Sequence, residues 1–152
     1  MDFITPSLEL VTDKQHLVLL PACGMALWTL LCLVYMALRR NIALMKRQVS
    51  IKYYRNYDTA SEPAWLNVIG QHIENLFEAP QLFYAVTIGM FATQTVTSSS
   101  VTLGYAYLGA RILHTVVHCG SNNVTHRFVA YLASTVVLVV MWVQLTLRLV
   151  AL

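Results

Sequence analysis

Ionisable and amide side chains recur at helical spacing inside the hydrophobic segments of this chain. In the segment 64–93, five polar residues fall within an arc of about 120° on one helix face; they are Gln71, Glu74, Asn75, Glu78 and Gln81. In the segment 101–119, four fall within an arc of about 60°; they are Tyr107, Arg111, His114 and His118. Ionisable groups are expensive to bury at membrane depth, so such stripes usually face a bundle interior or a cavity.

A third polar stripe opens the last hydrophobic segment, 128–149. Its members are Arg127, Tyr131 and Ser134. The guanidinium groups of Arg111 and Arg127 stay charged and match planar anions, so they suit carboxylates or a thiolate. Glu78 and Asn75 suit an ammonium and an amide, and the ligand these groups predict is zwitterionic and peptide-like with excess negative charge. The alternative is that Glu74 and Glu78 pair with the two arginines between helices and that nothing binds.

Two histidines of the second stripe have the spacing of metal ligands on a helix. His114 and His118 are separated by one helical turn, and His126 follows nearby. No carboxylate or cysteine motif such as H-E-x-x-H accompanies them, and the adjacent Arg111 would repel a cation. We therefore expect no metal and expect the histidines to pack between helices or to face a ligand. A metal- or proton-handling role for His114, His118 and Glu78 remains an alternative.

The composition indicates a membrane protein. Of 152 residues, 57% are hydrophobic and 11% are charged, whereas soluble domains carry about 25% charged residues. The net charge of +3 is too small to indicate nucleic-acid binding. The three cysteines lie at or inside hydrophobic segments, which argues against a disulfide framework. The length allows one domain, residues 1–152.

Four hydrophobic segments predict four transmembrane helices, which together form an all-α four-helix bundle. The predicted spans are residues 17–38, 64–93, 101–119 and 128–149. The loop 39–63 carries six basic residues before its first acidic one. Because short basic loops stay in the cytoplasm, we expect this loop and the loop 120–127 inside and both chain termini outside.

Three stretches resemble the MAPEG family, the membrane-associated proteins in eicosanoid and glutathione metabolism. The first is the Asn-x-x-Glu pattern of residues 75–78. The second is Arg-x-x-His-Thr-x-x-His at residues 111–118. The third is Asn-x-Val-x-His-Arg-x-x-x-Tyr at residues 122–131. The last two are most similar to a bacterial branch of the family, and the likeness covers nearly the whole chain.

The resemblance implies a homotrimer whose glutathione sites lie between neighbouring subunits, near the cytoplasmic side of a bacterial inner membrane. By position, Asn75 and Glu78 match the family residues that hold glutathione. Arg127 matches the arginine credited with stabilising the thiolate, and Tyr131 matches the tyrosine one turn later. The other candidates for binding glutathione are Arg39, Arg111, His114 and His118.

The implied function is that of a membrane glutathione transferase or peroxidase. A guanidinium lowers the pKa of a nearby thiol from about 8.5, so Arg127 would stabilise the thiolate. The thiolate would attack a lipophilic small molecule or a lipid hydroperoxide that arrives from the bilayer, and transfer is the preferred reaction. Membrane lipids are the other expected partners.

Four positions depart from the family pattern, and two of them are His118, where a tyrosine is common, and Phe128, where the prostaglandin synthase has a small polar residue. Glu74 stands where an arginine usually grips a glutathione carboxylate, and Gln71 stands where another arginine is common. A charge-assisted hydrogen bond is worth about 1.5–3 kcal/mol, so its loss weakens binding roughly tenfold to more than a hundredfold. Glu74 therefore favours an alternative function, that of a non-catalytic lipid-binding or scaffold protein with the same fold.

Overall fold

The computed structural model describes residues 13–56 and 62–151, and this part of the chain is helical without strands. A short 3₁₀ helix, Gln15–Val18, leads into the α-helices. They are α1 (Leu19–Met45), α2 (Ile51–Asn56), α3 (Ala64–Ala92), α4 (Ser98–Cys119) and α5 (Val124–Val150). The predicted placement of the chain termini concerns residues 1–12 and 152, which lie outside the described residues.

The first helix is longer than its hydrophobic segment. We predicted that the loop would begin at residue 39, but α1 continues through Arg39 and Arg40 to Met45, so this boundary was wrong. A helix does not end where its side chains become polar, because its backbone hydrogen bonds are formed within the helix itself. It ends where Arg47 takes a left-handed conformation, with φ of 54°, and the Gln48 amide donates back to the Ala43 carbonyl at 2.9 Å.

Two helices begin earlier than predicted because polar residues cap them. At the start of α4, the Ser100 amide donates to the Thr97 hydroxyl at 3.2 Å, and the Thr97 amide donates to the Ser100 hydroxyl at 2.8 Å. At the start of α5, the Asn123 side chain accepts a hydrogen bond from the His126 amide at 3.1 Å. The predicted loop 120–127 is therefore cut short, and Arg127 lies on the first turn of a helix.

The long helices are arranged so that α3 and α4 each contact all the other long helices, whereas α1 and α5 share no comparable contact. In the core, the ring of Phe83 on α3 stacks on Tyr107 of α4, with ring centroids 4.2 Å apart. A Cβ at Gly104 would lie 2.7 Å from a Pro21 carbon. Only glycine therefore lets α1 and α4 approach this closely.

The two outer helices are the apolar ones. Within the described residues, the segments Gln15–Met45 and Val124–Val150 are long and apolar enough, by length and composition, to cross a membrane. Their outward side chains include Leu27 and Leu147, which are 63% and 65% exposed. The helices α3 and α4 are also long enough to cross a membrane, but their polar stripes lower their hydropathy. That these two helices span the membrane therefore stays a prediction.

The predicted topology can be tested by cysteine labelling. In a background with Cys23, Cys32 and Cys119 changed to alanine, Lys46→Cys and Ser98→Cys place single thiols at exposed positions at opposite ends of the helices. Because the basic loop should be cytoplasmic, a membrane-impermeant maleimide should label Lys46→Cys only in inverted vesicles. It should label Ser98→Cys only in right-side-out vesicles, and the reversed pattern would contradict the orientation.

Candidate functional site

A pocket of about 370 Å³ lies between α3, α4 and α5, at the end of the helices that carries the predicted cytoplasmic loops. Six of the eight residues predicted for the site line it; they are Asn75, Glu78, His114, His118, Arg127 and Tyr131. The remaining lining residues are Gln71, Glu74, Val124 and Phe128. The polar stripes of α3, α4 and α5 therefore converge on one pocket.

The α3 wall of the pocket is acidic. Glu74 and Glu78 both line it, and both are exposed. Between them, the Asn75 side chain donates to the backbone carbonyl of Gln71 at 2.9 Å, so the helix itself orients the amide. Gln81, the last residue of the predicted stripe, does not line the pocket. The stripe thus contributes its first four residues, which span two helical turns.

The α5 wall is basic. One terminal nitrogen of Arg127 donates to the Asn122 side chain at 3.0 Å and lies 3.1 Å from Nε2 of His118. Because a guanidinium only donates hydrogen bonds, Nε2 of His118 is the acceptor here. Tyr131 lies one turn further along the same face of α5. The loop before α5 and the last turn of α4 together fix the position of the guanidinium.

The carboxylates and guanidinium groups of the pocket do not neutralise one another. Among the described residues, no ion pair joins Glu74 or Glu78 to Arg111 or Arg127, so the pairs on which the non-binding alternative was based are not formed there. An ion pair found elsewhere in the described part, between Arg40 and a glutamate near the start of α3, spans 3.8 Å. The pocket therefore presents separated negative and positive walls.

Comparison with known proteins identifies the family of the chain. The model of the MAPEG family matches residues 18–147, which include every residue of the pocket. The chain belongs to the MAPEG family. No curated protein and no solved structure was found to match it. Family membership and the two apolar helices together indicate an integral membrane protein of the glutathione- and eicosanoid-metabolising type.

Arg111 of this MAPEG protein is fully buried and does not line the pocket. Its Nη2 donates to the backbone carbonyl of Asn75 at 2.6 Å, which ties α4 to α3. Its guanidinium carbon lies 5.6 Å from the ring centroid of Tyr131 on α5, within range of a cation–π contact. Arg111 thus contacts two residues that line the pocket, Asn75 and Tyr131, without lining it itself.

Arg39 also lies outside the pocket of this single chain. Its guanidinium carbon is 4.4 Å from the ring centroid of Trp65 and 5.8 Å from that of Tyr35. These contacts hold the charge between the end of α1 and the start of α3. The structure therefore brings six of the predicted residues together in the pocket, but neither Arg111 of α4 nor Arg39 of α1.

Sequence reasoning missed His72. Its side chain is 1% exposed and lies on the buried face of α3, in register with Ile69 and Leu76. The ring centroids of His72 and His118 are 5.3 Å apart. The available signal was a histidine on the apolar face of an amphipathic helix, whereas the search for polar stripes followed the opposite face.

Replacing Arg111 should test its supporting role. Arg111→Lys keeps the charge but loses the planar fork and the stacking on Tyr131. We expect a loss of stability of about 1.5–3 kcal/mol, measured as a lower midpoint of thermal unfolding in detergent. Arg55→Lys, at an exposed position of α2, is the control. Equal midpoints for both variants would show that the Arg111 contacts do not hold the helices together.

Proposed function

We propose that this MAPEG protein is a membrane thiol transferase that binds glutathione in the polar pocket and activates its sulfur. The carrying observation is that an apolar pocket lies one helical turn beyond the polar one and is lined by the same two helices, α3 and α5. Glu78 and Tyr131 line the polar pocket, and the residues one turn further, Leu82 and Thr135, line an apolar pocket of about 450 Å³. A hydrophilic thiol and a lipophilic substrate would thus meet at one boundary.

The charges of the polar pocket suit a zwitterionic tripeptide. Glu78, with Glu74 beside it, offers a partner for the ammonium group, and Asn75 offers an amide for the peptide backbone. His114 and His118 add ring nitrogens on the α4 side. A volume of about 370 Å³ lies within the range of ligand pockets, roughly 300–1,000 Å³. The proposal is also supported by the separation of the acidic wall from Arg127, because the ammonium and the thiolate of one ligand need opposite charges at different places.

Activation of the thiol is assigned to Arg127 and Tyr131. The guanidinium of Arg127 would favour the thiolate over the thiol, and the Tyr131 hydroxyl would donate a hydrogen bond to the sulfur. The thiolate then attacks an electrophilic carbon of the lipophilic substrate. A carbon–sulfur bond forms while the bond to the leaving group breaks and its electron pair departs with that group. In the peroxidase variant, the thiolate attacks the terminal oxygen of a hydroperoxide, the O–O bond breaks and the alkoxide leaves and takes up a proton. A second thiol then converts the resulting sulfenic acid to a disulfide and releases water.

The lipophilic substrate would occupy the apolar pocket. Leu138, Val139, Trp142 and Val143 of α5 line it, and no ionisable side chain does. Because α5 is apolar along its outer face, such a substrate could enter laterally from the bilayer. Wide, apolar walls without directional polar contacts would give broad selectivity.

The proposed assembly is a homotrimer with the site between subunits, as the family resemblance implies. Arg39 lies outside the pocket of its own chain, so within a trimer it is the residue expected to reach a neighbouring subunit's site. Arg111 would contribute indirectly, because it holds the backbone of Asn75.

One observation favours a second candidate function, a non-catalytic lipid-binding or scaffold protein. Glu74 lines the pocket at the position where the family usually has a cation, so it would repel the glutathione carboxylate. The apolar pocket alone suffices for binding a lipid chain. Glu74→Arg separates the two functions, because it should tighten glutathione binding about tenfold or more if the rest of the pocket is suited to the tripeptide.

Loss of Arg127 should abolish most of the thiol-transfer activity. Arg127→Ala removes the charge that stabilises the sulfur, and we expect a decrease of about 10²–10³ in rate, by analogy with the loss of one oxyanion-hole donor. Glu78→Gln should mainly raise the KM for glutathione, because its proposed partner is the ammonium and not the reacting sulfur. Both effects are measured with the purified protein and a chromogenic lipophilic electrophile.

Arg148→Ala, at the opposite end of α5, is the control and should keep the parent activity. If Arg127→Ala and Glu78→Gln both react like the parent, the transferase mechanism is wrong. If neither the parent nor Glu74→Arg binds glutathione in calorimetry, the scaffold function is favoured instead.

The homotrimer makes a separate prediction. Native mass spectrometry of the protein released from mild detergent should give three chains per particle, and this state should persist in Arg127→Ala. Trp65→Ala removes the ring on which Arg39 stacks, and should lower glutathione affinity without changing the number of chains. A single chain per particle in several mild detergents would contradict the proposed assembly.

A further inference from the structure

Three buried histidines form a cluster between α3 and α4. His72, His114 and His118 are 1%, 2% and 2% exposed. One ring nitrogen from each lies within 4.8 Å of the corresponding nitrogens of the other two. The ring centroids are 5.3–5.7 Å apart. Two ligands at i and i+4 on one helix thus face a third on the neighbouring helix.

Several nitrogens of the cluster have no hydrogen-bond partner. Among the described residues, both ring nitrogens of His72 and the Nδ1 atoms of His114 and His118 are buried and unpaired. Buried polar atoms are paired in the large majority of cases, so each exception calls for an explanation. A neutral imidazole carries a proton on one ring nitrogen and a lone pair on the other, so these unpaired atoms include both donors and acceptors. His72 has no partner at either nitrogen, so its lone pair is available to an added ligand such as a metal ion.

We propose that His72, His114 and His118 bind one divalent transition-metal ion of the zinc class, with a fourth position open toward the polar pocket. His114 and His118 line that pocket while His72 does not, which puts the open side of the cluster next to Arg127. Three neutral imidazoles suit zinc and exclude calcium and magnesium, which require oxygen ligands. The expectation of no metal rested on His114, His118 and His126, on the lack of a ligand motif and on repulsion by Arg111. It did not consider His72, which supplies a third ligand.

The observed spacing requires a small contraction on binding. With metal–nitrogen distances of about 2.0–2.1 Å, tetrahedral ligand nitrogens lie about 3.3 Å apart. The cluster nitrogens, within 4.8 Å of one another, reach this spacing when the rings turn and approach by up to about 1.5 Å. The three rings already lie next to one another across the α3–α4 interface.

Positive charges near the site favour a negatively charged fourth ligand on the metal. Arg127 lies at hydrogen-bond distance from His118, and Arg111 is one turn before His114 on α4. An anionic fourth ligand, such as hydroxide or a thiolate, would offset the repulsion between these guanidinium groups and the metal. The open position therefore selects for anions.

Metal binding and the hydrogen bond from Arg127 to His118 exclude each other. In the structure, Nε2 of His118 accepts from Arg127. If His118 binds the metal through Nε2, that lone pair is no longer available. If it binds through Nδ1, the neutral ring carries its proton on Nε2, which then cannot accept. Removal of the Arg127 side-chain charge should consequently tighten metal binding.

The test uses the full-length protein in detergent, purified with a tag that lacks histidine and stripped of metal by a chelator. Titration with Zn²⁺ alone should show one ion per chain, and Co²⁺ should give the intense visible absorption of a four-coordinate ion. No thiol is added, so the result is independent of the transferase proposal. Loss of even an outer partner of a metal site costs about 10–100-fold in affinity, so His72→Ala should weaken binding by at least that factor.

Two exposed histidines provide matched controls. His16→Ala and His126→Ala should bind Zn²⁺ like the parent, because their side chains lie outside the cluster. His118→Gln, on the other helix, should lose binding like His72→Ala, while circular dichroism and gel filtration confirm that both variants fold. Arg127→Gln should bind more tightly than the parent. Unchanged Zn²⁺ affinity in His72→Ala and His118→Gln, or the weak absorption of six-coordinate Co²⁺, would overturn the proposal.

Discussion

The buried guanidinium of Arg111 is the interaction on which the arrangement of the site depends. It joins the backbone of α3 to α4 through the 2.6 Å hydrogen bond to Asn75 and contacts α5 through the ring of Tyr131. A buried charge is costly unless strong, directed contacts compensate it. The contacts of Arg111 therefore link α3, α4 and α5 beside the pocket that these three helices line.

The cost of burying polar groups also explains which helices carry polar residues and which carry apolar ones. Polar groups are tolerated in an apolar surrounding only where they face one another or a cavity. The two helices that contact all the other long helices, α3 and α4, hold the buried arginine and histidines, and the outer helices α1 and α5 expose apolar side chains. On α5, the first two turns direct Arg127 and Tyr131 into the pocket.

Arg127 couples the polar pocket to the buried histidines. Its hydrogen bond to His118 joins the α5 wall to the last turn of α4, and the bond to Asn122 fixes the guanidinium from the loop. A ligand that draws Arg127 into the pocket would free His118, and an ion bound by His118 would release Arg127. The proposed thiol site and the proposed metal site thus share His114 and His118, and the contact between Arg127 and His118 links them.

The sequence by itself determined the helices and most of the pocket. Apolar periodicity depends only on local spacing, so the polar faces of α3, α4 and α5 were readable, and six of the eight predicted site residues do line one pocket. The family was also readable, because its motifs lie within short stretches of the chain. Helix ends were less accurate, because caps such as Thr97 and Asn123 act on backbone groups irrespective of hydropathy.

Only the tertiary structure decided which residues of different helices meet. Arg111 and Arg39 were both predicted to bind the ligand. In the structure, Arg111 donates to the backbone of Asn75 and Arg39 lies over the ring of Trp65. His72 joins the histidine pair only because α3 packs against α4 at that level. A helical pattern gives the angle of each side chain around its own axis, whereas the rotation and height of one helix against another come from packing across the interface.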